Sequence, residues 1–151
     1  EAGAFAGWRW TSGVDPRHQF RVQLQGQFDV AGEHEGYLAT VAARYFVPVA
    51  RWLTLSLGGG ATYASDGYMQ TYFGVDAGDA ARSGLPTFAA AGGVRDVRIS
   101  PMAIVSMTPN WHLAGGFIVS RLLGDAEDSP VVDVRGDAVQ WMAGFGLVYA
   151  W

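Results

Sequence analysis

Cysteine is absent from the 151 residues, which excludes disulfides and thiolate metal sites and suits a periplasm-exposed protein. Lysine is absent as well, and all ten basic residues are arginine. Fourteen acidic residues outweigh them to a formal charge of −4, which argues against nucleic acid as a partner. Half of the residues are hydrophobic, yet no window approaches the roughly 18 uninterrupted apolar residues of a transmembrane helix. Glu1 opens no basic stretch and apolar core of the kind that makes a signal peptide, so the chain is expected to be mature or cut. Its length suits one domain, residues 1–151.

What the sequence does have is glycine, at 21 residues, and aromatics: six Trp, six Tyr and eight Phe. They fall in seven alternating runs, 2–11, 18–30, 36–47, 52–64, 94–107, 111–123 and 139–151. In the second, Phe20, Val22, Leu24, Gly26, Phe28 and Val30 oppose Arg21, Gln23, Gln25, Gln27 and Asp29, the period of two expected of a strand. In the last, Val139, Trp141, Ala143, Phe145, Leu147, Tyr149 and Trp151 share one face. Gln140, Met142, Gly144, Gly146, Val148 and Ala150 share the other. One face is large and greasy and the opposite face is small, whereas a soluble sheet usually makes its non-core face charged.

Run length decides between architectures. Strands in globular proteins average about 5–6 residues, and transmembrane strands need about 9–11. Tyr37, Tyr45, Tyr63, Trp111, Tyr149 and Trp151 lie near the ends of apolar faces, as interfacial girdles would. A lipocalin-type soluble barrel would put polar residues outside, where this chain has bare Leu, Val and Phe. The expected fold is therefore all-β, an antiparallel up-and-down transmembrane β-barrel with about seven strands in this chain. Tight connections at 48–51 and 108–110 alternate with long ones at 65–88 and 124–138, matching short periplasmic turns and long external loops. With the C-terminus periplasmic, 12–17 is a periplasmic turn, 31–35 an outer loop, and strand one begins outside. Bacterial barrels have even strand numbers, so the reading expects further N-terminal strands and a larger even-stranded barrel. An overlooked strand at Tyr68–Val75 is the alternative, although it would break this topology. Pro101 removes a ladder donor inside the fifth run, which predicts a bulge or kink at Ser100–Met102.

Three groups of residues could carry chemistry. Asp125, Glu127 and Asp128 offer clustered carboxylates to a divalent cation, but their spacing is not that of a calcium loop, and turn-forming acids in a solvated loop explain them as well. His18, His34 and His112 are scattered among the loop serines Ser12, Ser65, Ser83 and Ser129 in no compelling catalytic order, and His34 is the only histidine placed outside. No enzyme and no cofactor is expected. Arg21, Gln23, Arg44 and Arg98 are expected to face the lumen, either to favour anions in a pore or to pair with carboxylates on further strands. Arg121 nominally faces lipid near the outer rim, where its side chain can snorkel.

The segments YASDGYMQTYFGV (Tyr63–Val75), SGLPTF (Ser83–Phe88), GGVRDV (Gly92–Val97), NWHL (Asn110–Leu113) and SRLLGDAEDSPVV (Ser120–Val132) together resemble the MipA/OmpV family. GAFAGWRW at Gly3–Trp10 resembles one of its mid-barrel strands. The resemblance covers nearly the whole chain, corresponding to the C-terminal portion of a member. Members usually end in Phe, and this chain ends in Trp151. The resemblance implies a bacterial outer-membrane barrel whose founding member bridges a murein-cleaving lytic transglycosylase and a murein synthase. Other members are linked to adhesion, osmotic adaptation or antibiotic susceptibility. By analogy with other outer-membrane barrels, Phe145, Leu147, Tyr149 and Trp151 would form the signal read by the assembly machinery. The function expected is a non-enzymatic envelope scaffold embedded in outer-membrane lipid. A narrow pore for small polar or anionic solutes, or an adhesin acting through the external loops, is the alternative.

Overall fold

Seven strands form one antiparallel meander in chain order: β1 (Ala2–Thr11), β2 (Gln19–Phe28), β3 (Tyr37–Ala50), β4 (Leu53–Ala64), β5 (Gly93–Ser106), β6 (Trp111–Leu122) and β7 (Val139–Tyr149). The computed structural model describes residues 2–30, 32 and 36–151. His34 and most of the expected outer loop at 31–35 therefore lie outside the described residues. Each strand has 10–14 residues.

Register turns seven separate alternations into two continuous faces. One row crosses all strands through Trp8, Val22, Ala43, Gly59, Ile99, Val119 and Trp141. The neighbouring row, on the opposite face, runs through Gly7, Gln23, Ala42, Gly60, Arg98, Ser120 and Gln140. Burial is inverted relative to a soluble protein. In β4, Leu55, Leu57 and Tyr63 are exposed while Ser56 and Thr62 are buried. A sheet curved with its polar side inward produces this pattern, because side chains converge on the concave face and diverge on the convex one. A large apolar convex face is stable where the surrounding medium is hydrocarbon. β1 and β7 are the edges, and both are exposed along their whole length.

Many of the aromatics on the apolar face fall in two bands, with others such as Trp8, Phe117 and Trp141 between them. Trp10, Phe20, Tyr45, Trp111 and Tyr149 sit toward the end with the tight turns, and Phe28, Tyr37 and Tyr63 toward the other. Ring contacts join neighbours within each band, Phe20 to Tyr45 at 6.2 Å and Tyr37 to Tyr63 at 6.2 Å. Tyr37 and Tyr45 are eight residues apart, about 27 Å of strand at about 3.4 Å per residue. A tilt of about 40° reduces this to about 21 Å of height, near the apolar band of an outer-membrane barrel.

The long connections are not irregular. The β4–β5 connection holds α1 (Asp66–Phe73) and α2 (Ala77–Ser83), and the β6–β7 connection holds α3 (Asp125–Asp128) and α4 (Pro130–Arg135). The possible extra strand at Tyr68–Val75 is thus corrected: it is mostly α1. Met69 and Phe73, one turn apart, both pack on a small core, so the period here is helical. Asp76 caps α2 by accepting from Asp79 N at 2.7 Å, and Gly84 at φ +75° ends it. The core comprises Leu38, Ala64, Met69, Ala90 and Ala126, with Tyr68, Phe73, Phe88 and Leu122 against it. Leu38, Ala64 and Leu122 belong to the polar-face parity of their strands, so the helical loops fold over the mouth of the concave face.

Of the bulge or kink expected at Ser100–Met102, the bulge is not found. β5 keeps one register with β4 through Ser100, Pro101 and Met102. Only the ladder to β6 is interrupted, between Ile99–Val119 and Met102–Gly116, and it resumes in the same register. Gly116 makes this possible, because a Cβ there would lie 2.6 Å from the Pro101 carbonyl oxygen. The close approach absorbs the missing donor without an extra residue. The register shifts fall elsewhere, between Pro48 and Ala50 and opposite Thr62 and Tyr63.

Gly116→Val should cost about 1–3 kcal/mol by forcing β6 off Pro101, measured by denaturant unfolding in lipid vesicles. In the same assay Ile99→Arg, in the middle of the apolar face, should cost about 2–4 kcal/mol, and Tyr149→Arg, at its rim, about 0–1.

Candidate functional site

Three arginines stand side by side on the polar face. Arg9 pairs across with Arg21, and Arg21 with Arg44, in one row that continues through Gly58 and Ser100. Directly opposed like charges repel, by about 0.7 kcal/mol in bulk water and about 3 kcal/mol at an effective dielectric of 20 for a separation of about 6 Å. Neutral atoms hold two of the three in place. Arg44 donates to Ser56 Oγ at 3.0 Å, Ser100 O at 3.2 Å and Ser100 Oγ at 2.6 Å. Its guanidinium crosses Gly58, where a Cβ would come within 2.8 Å of the nitrogen. Arg21 donates to Gln19 Oε1 at 2.8 Å and lies 5.0 Å from the Phe46 ring centroid. Arg98, from the next row, reaches Asp96 only at 4.0 Å. Arg21, Gln23, Arg44 and Arg98 together line one cavity of about 260 Å³ with a floor of Ala42 and Gly58.

Asp96, buried, is held mainly by Arg95, at 2.6 Å. Arg95 is the extra residue of the shift opposite Thr62 and Tyr63, and a bulge turns a side chain away from strict alternation. Arg95 thereby also donates to Tyr68 Oη at 2.9 Å, tying β5 to α1.

A second polar cluster closes the loop end. Three consecutive backbone N–H groups donate to side chains from both long loops: Ala90 N to Gln70 Oε1 at 3.0 Å, Ala91 N to Asp125 Oδ2 at 2.7 Å, and Gly92 N to Asp66 Oδ1 at 2.6 Å. Ser129, fully buried, donates to Phe73 O at 2.6 Å and accepts from Val131 N at 3.2 Å, joining α1 to the start of α4.

The possible metal ligands are drawn in different directions. Asp125 accepts from Ala91, and Glu127 pairs with Arg121 at 2.7 Å. Among the described residues no three His, Asp or Glu side chains converge on a metal position. The described candidates are engaged by other partners: His18 Nε2 with Tyr45 Oη, Ser12 Oγ with Val14 N, Ser65 Oγ with Tyr37 N, and Ser83 Oγ with Asp79 O. His112 Nδ1 meets Ser106 Oγ at 3.0 Å, a pair that sequence reasoning missed. The tight turn at 108–110 was its signal, since it places residue 106 opposite residue 112. No described hydrogen bond or ion pair joins His112 to a carboxylate, so the pair lacks the orienting acid of a nucleophilic site. Phe145, Leu147 and Tyr149 lie on the apolar face opposite Gly115, Leu113 and Trp111, and Trp151 follows β7, fully exposed. Arg9 was also missed, because the alternation of the first run does not declare its faces.

Ser129→Ala leaves the Phe73 carbonyl unpaired in a buried place and removes a cap, at a cost of about 1–3 kcal/mol. Limited proteolysis should cut the β6–β7 connection faster in this variant while the strands stay protected.

No curated protein matches the chain. The family model described as "MltA-interacting protein MipA" matches residues 1–151. Together with the seven-stranded antiparallel meander and its inverted faces, that match places this chain in the MipA family of outer-membrane β-barrel proteins.

Proposed function

We propose that the chain is a non-enzymatic outer-membrane scaffold that holds a lytic transglycosylase of the MltA type at its tight-turn end. The family description names MltA as the interacting protein, and one structural observation supports the turn end as the contact. Arg17 donates to Ala50 O at 2.9 Å and Arg51 O at 3.0 Å, locking the β1–β2 turn to the β3–β4 turn. Asp15 holds the same guanidinium at 2.8 Å. The clamped turns present Val14, 97% exposed, and Val49, 58% exposed, as fixed apolar points. In this reading the turns and the C-terminus are periplasmic and the helical loops external.

Turns of this size fall well short of the roughly 800 Å² per partner of a standard stable interface, so the contact belongs to the transient class and is best trapped covalently. The small core over the polar face at the loop end favours a plugged barrel, and with it the scaffold over the pore.

Photo-crosslinkers at position 14 or 49 of the full-length protein in intact envelopes should yield adducts with a lytic transglycosylase, and one at exposed Val134 should not. Adducts at 134 alone, or none at 14 and 49, would overturn the scaffold and its orientation. The clamp also has a pH signature. Hydrogen bonds from Arg17 hold the Asp15 carboxyl below its ordinary value of 3.8, and the same bonds raise the Arg17 pKa. A lowered carboxylate pKa stabilises above the unfolded value and loses that contribution as pH falls through the folded one. NMR of the turn should show Arg17 immobile from neutral pH down to about 4 and released only in stronger acid.

A further inference from the structure

The arginine row is a charge arrangement that the scaffold reading does not use. Arg9, Arg21 and Arg44 occupy directly paired positions on three adjacent strands, and Arg98 faces the same cavity from β5. Among the described residues, Arg9, Arg21 and Arg44 form no ion pair, and Asp96, the one carboxylate near Arg98, is engaged more closely by Arg95. Serine, glutamine and a ring face hold Arg44 and Arg21 in defined positions without cancelling their charge. Alanine and glycine keep the floor low, so space remains between the guanidinium groups. Planar guanidinium forks fixed around an open volume are the geometry that binds phosphate and carboxylate oxygens.

We propose that Arg21, Arg44 and Arg98, with Gln23, form an oxyanion site on the polar face, for a phosphate- or carboxylate-bearing group. Arg44 is the rigid member, fixed by three hydrogen bonds to two serines. Arg21 and Arg98 flank it and supply the second and third positive charges, and Arg9 extends the positive potential toward the β1 edge. The bound oxyanion relieves a cross-strand repulsion that the strands themselves leave uncompensated. The group is either free in solution or carried as a side-chain carboxylate on a strand facing the cavity.

The test uses the purified full-length protein in detergent, titrated calorimetrically with inorganic phosphate, and compares Arg21→Gln and Arg98→Gln. Arg44 is left intact because it braces β3, β4 and β5. Heat-modifiable migration on gels checks that each variant is folded. A free oxyanion predicts phosphate binding to the parent protein, weakened about 10- to 100-fold in each variant. A carboxylate from a facing strand predicts no phosphate binding and a lower Tm in both variants. The proposal is overturned if phosphate binds parent and variants alike. It is equally overturned if nothing binds and Tm is unchanged or higher in the variants, because relieved repulsion with no lost partner means that the row holds no oxyanion.

Discussion

A backbone N–H or C=O in hydrocarbon has no water to turn to, so every one that crosses the membrane must be paired within the protein. The ladder from β1 to β7 meets that demand for the central strands, and the rest of the molecule follows from it. Once the strands carry the hydrogen bonding, the outward side chains need only match lipid, and Val41, Leu57, Ile99, Phe117 and Phe145 do. The inward side chains are free to be small and polar. The exposed edges of β1 and β7 mark where the same demand calls for further pairing, and an even-stranded barrel that includes additional strands is the closure we propose.

Apolar burial is displaced accordingly. A soluble domain keeps its core between layers, whereas here the buried apolar cluster around Met69 lies in the connections at one end, over the mouth of the polar face. Side chains bonded to backbone help to hold it: Gln70, Asp125 and Asp66 accept from three successive N–H groups, and Ser129 donates across to the Phe73 carbonyl. Two ends with different construction result, one a set of tight, clamped turns and the other a folded cap. That asymmetry gives the proposed scaffold its contact surface at one end and sets a folded cap over the polar face at the other.

Strands and faces were legible in the sequence because period-two alternation over 10–14 residues is a strong local signal, and the aromatic ends of those faces marked the interfaces. The helices were not, because 4- to 8-residue helices in glycine- and aspartate-rich stretches resemble loops and take their stability from tertiary contacts. The bulge at Pro101 was misjudged because its remedy lies on another strand, at Gly116, and the shift at Arg95 left no composition mark. Arg21, Gln23, Arg44 and Arg98 could be given a common face from the sequence. Only register brings them to one cavity and adds Arg9 to the row, and only the packing of the two long loops hands Asp125 to a backbone amide. Family membership came from spaced segments acting together, a kind of information that periodicity does not contain.

The central claim is that the apolar face meets lipid and the polar face an enclosed lumen. The absence of cysteine makes it directly testable, since any cysteine introduced into this chain is the only thiol in these 151 residues. Single cysteines placed along β4 from Leu53 to Ala64 in the full-length protein, reconstituted in vesicles, would carry a fluorophore and be read with a lipid-confined quencher. The account predicts quenching at 55, 57, 59 and 61, and protection at 56, 58, 60 and 62. Quenching in the opposite phase, or with no period of two, would contradict it.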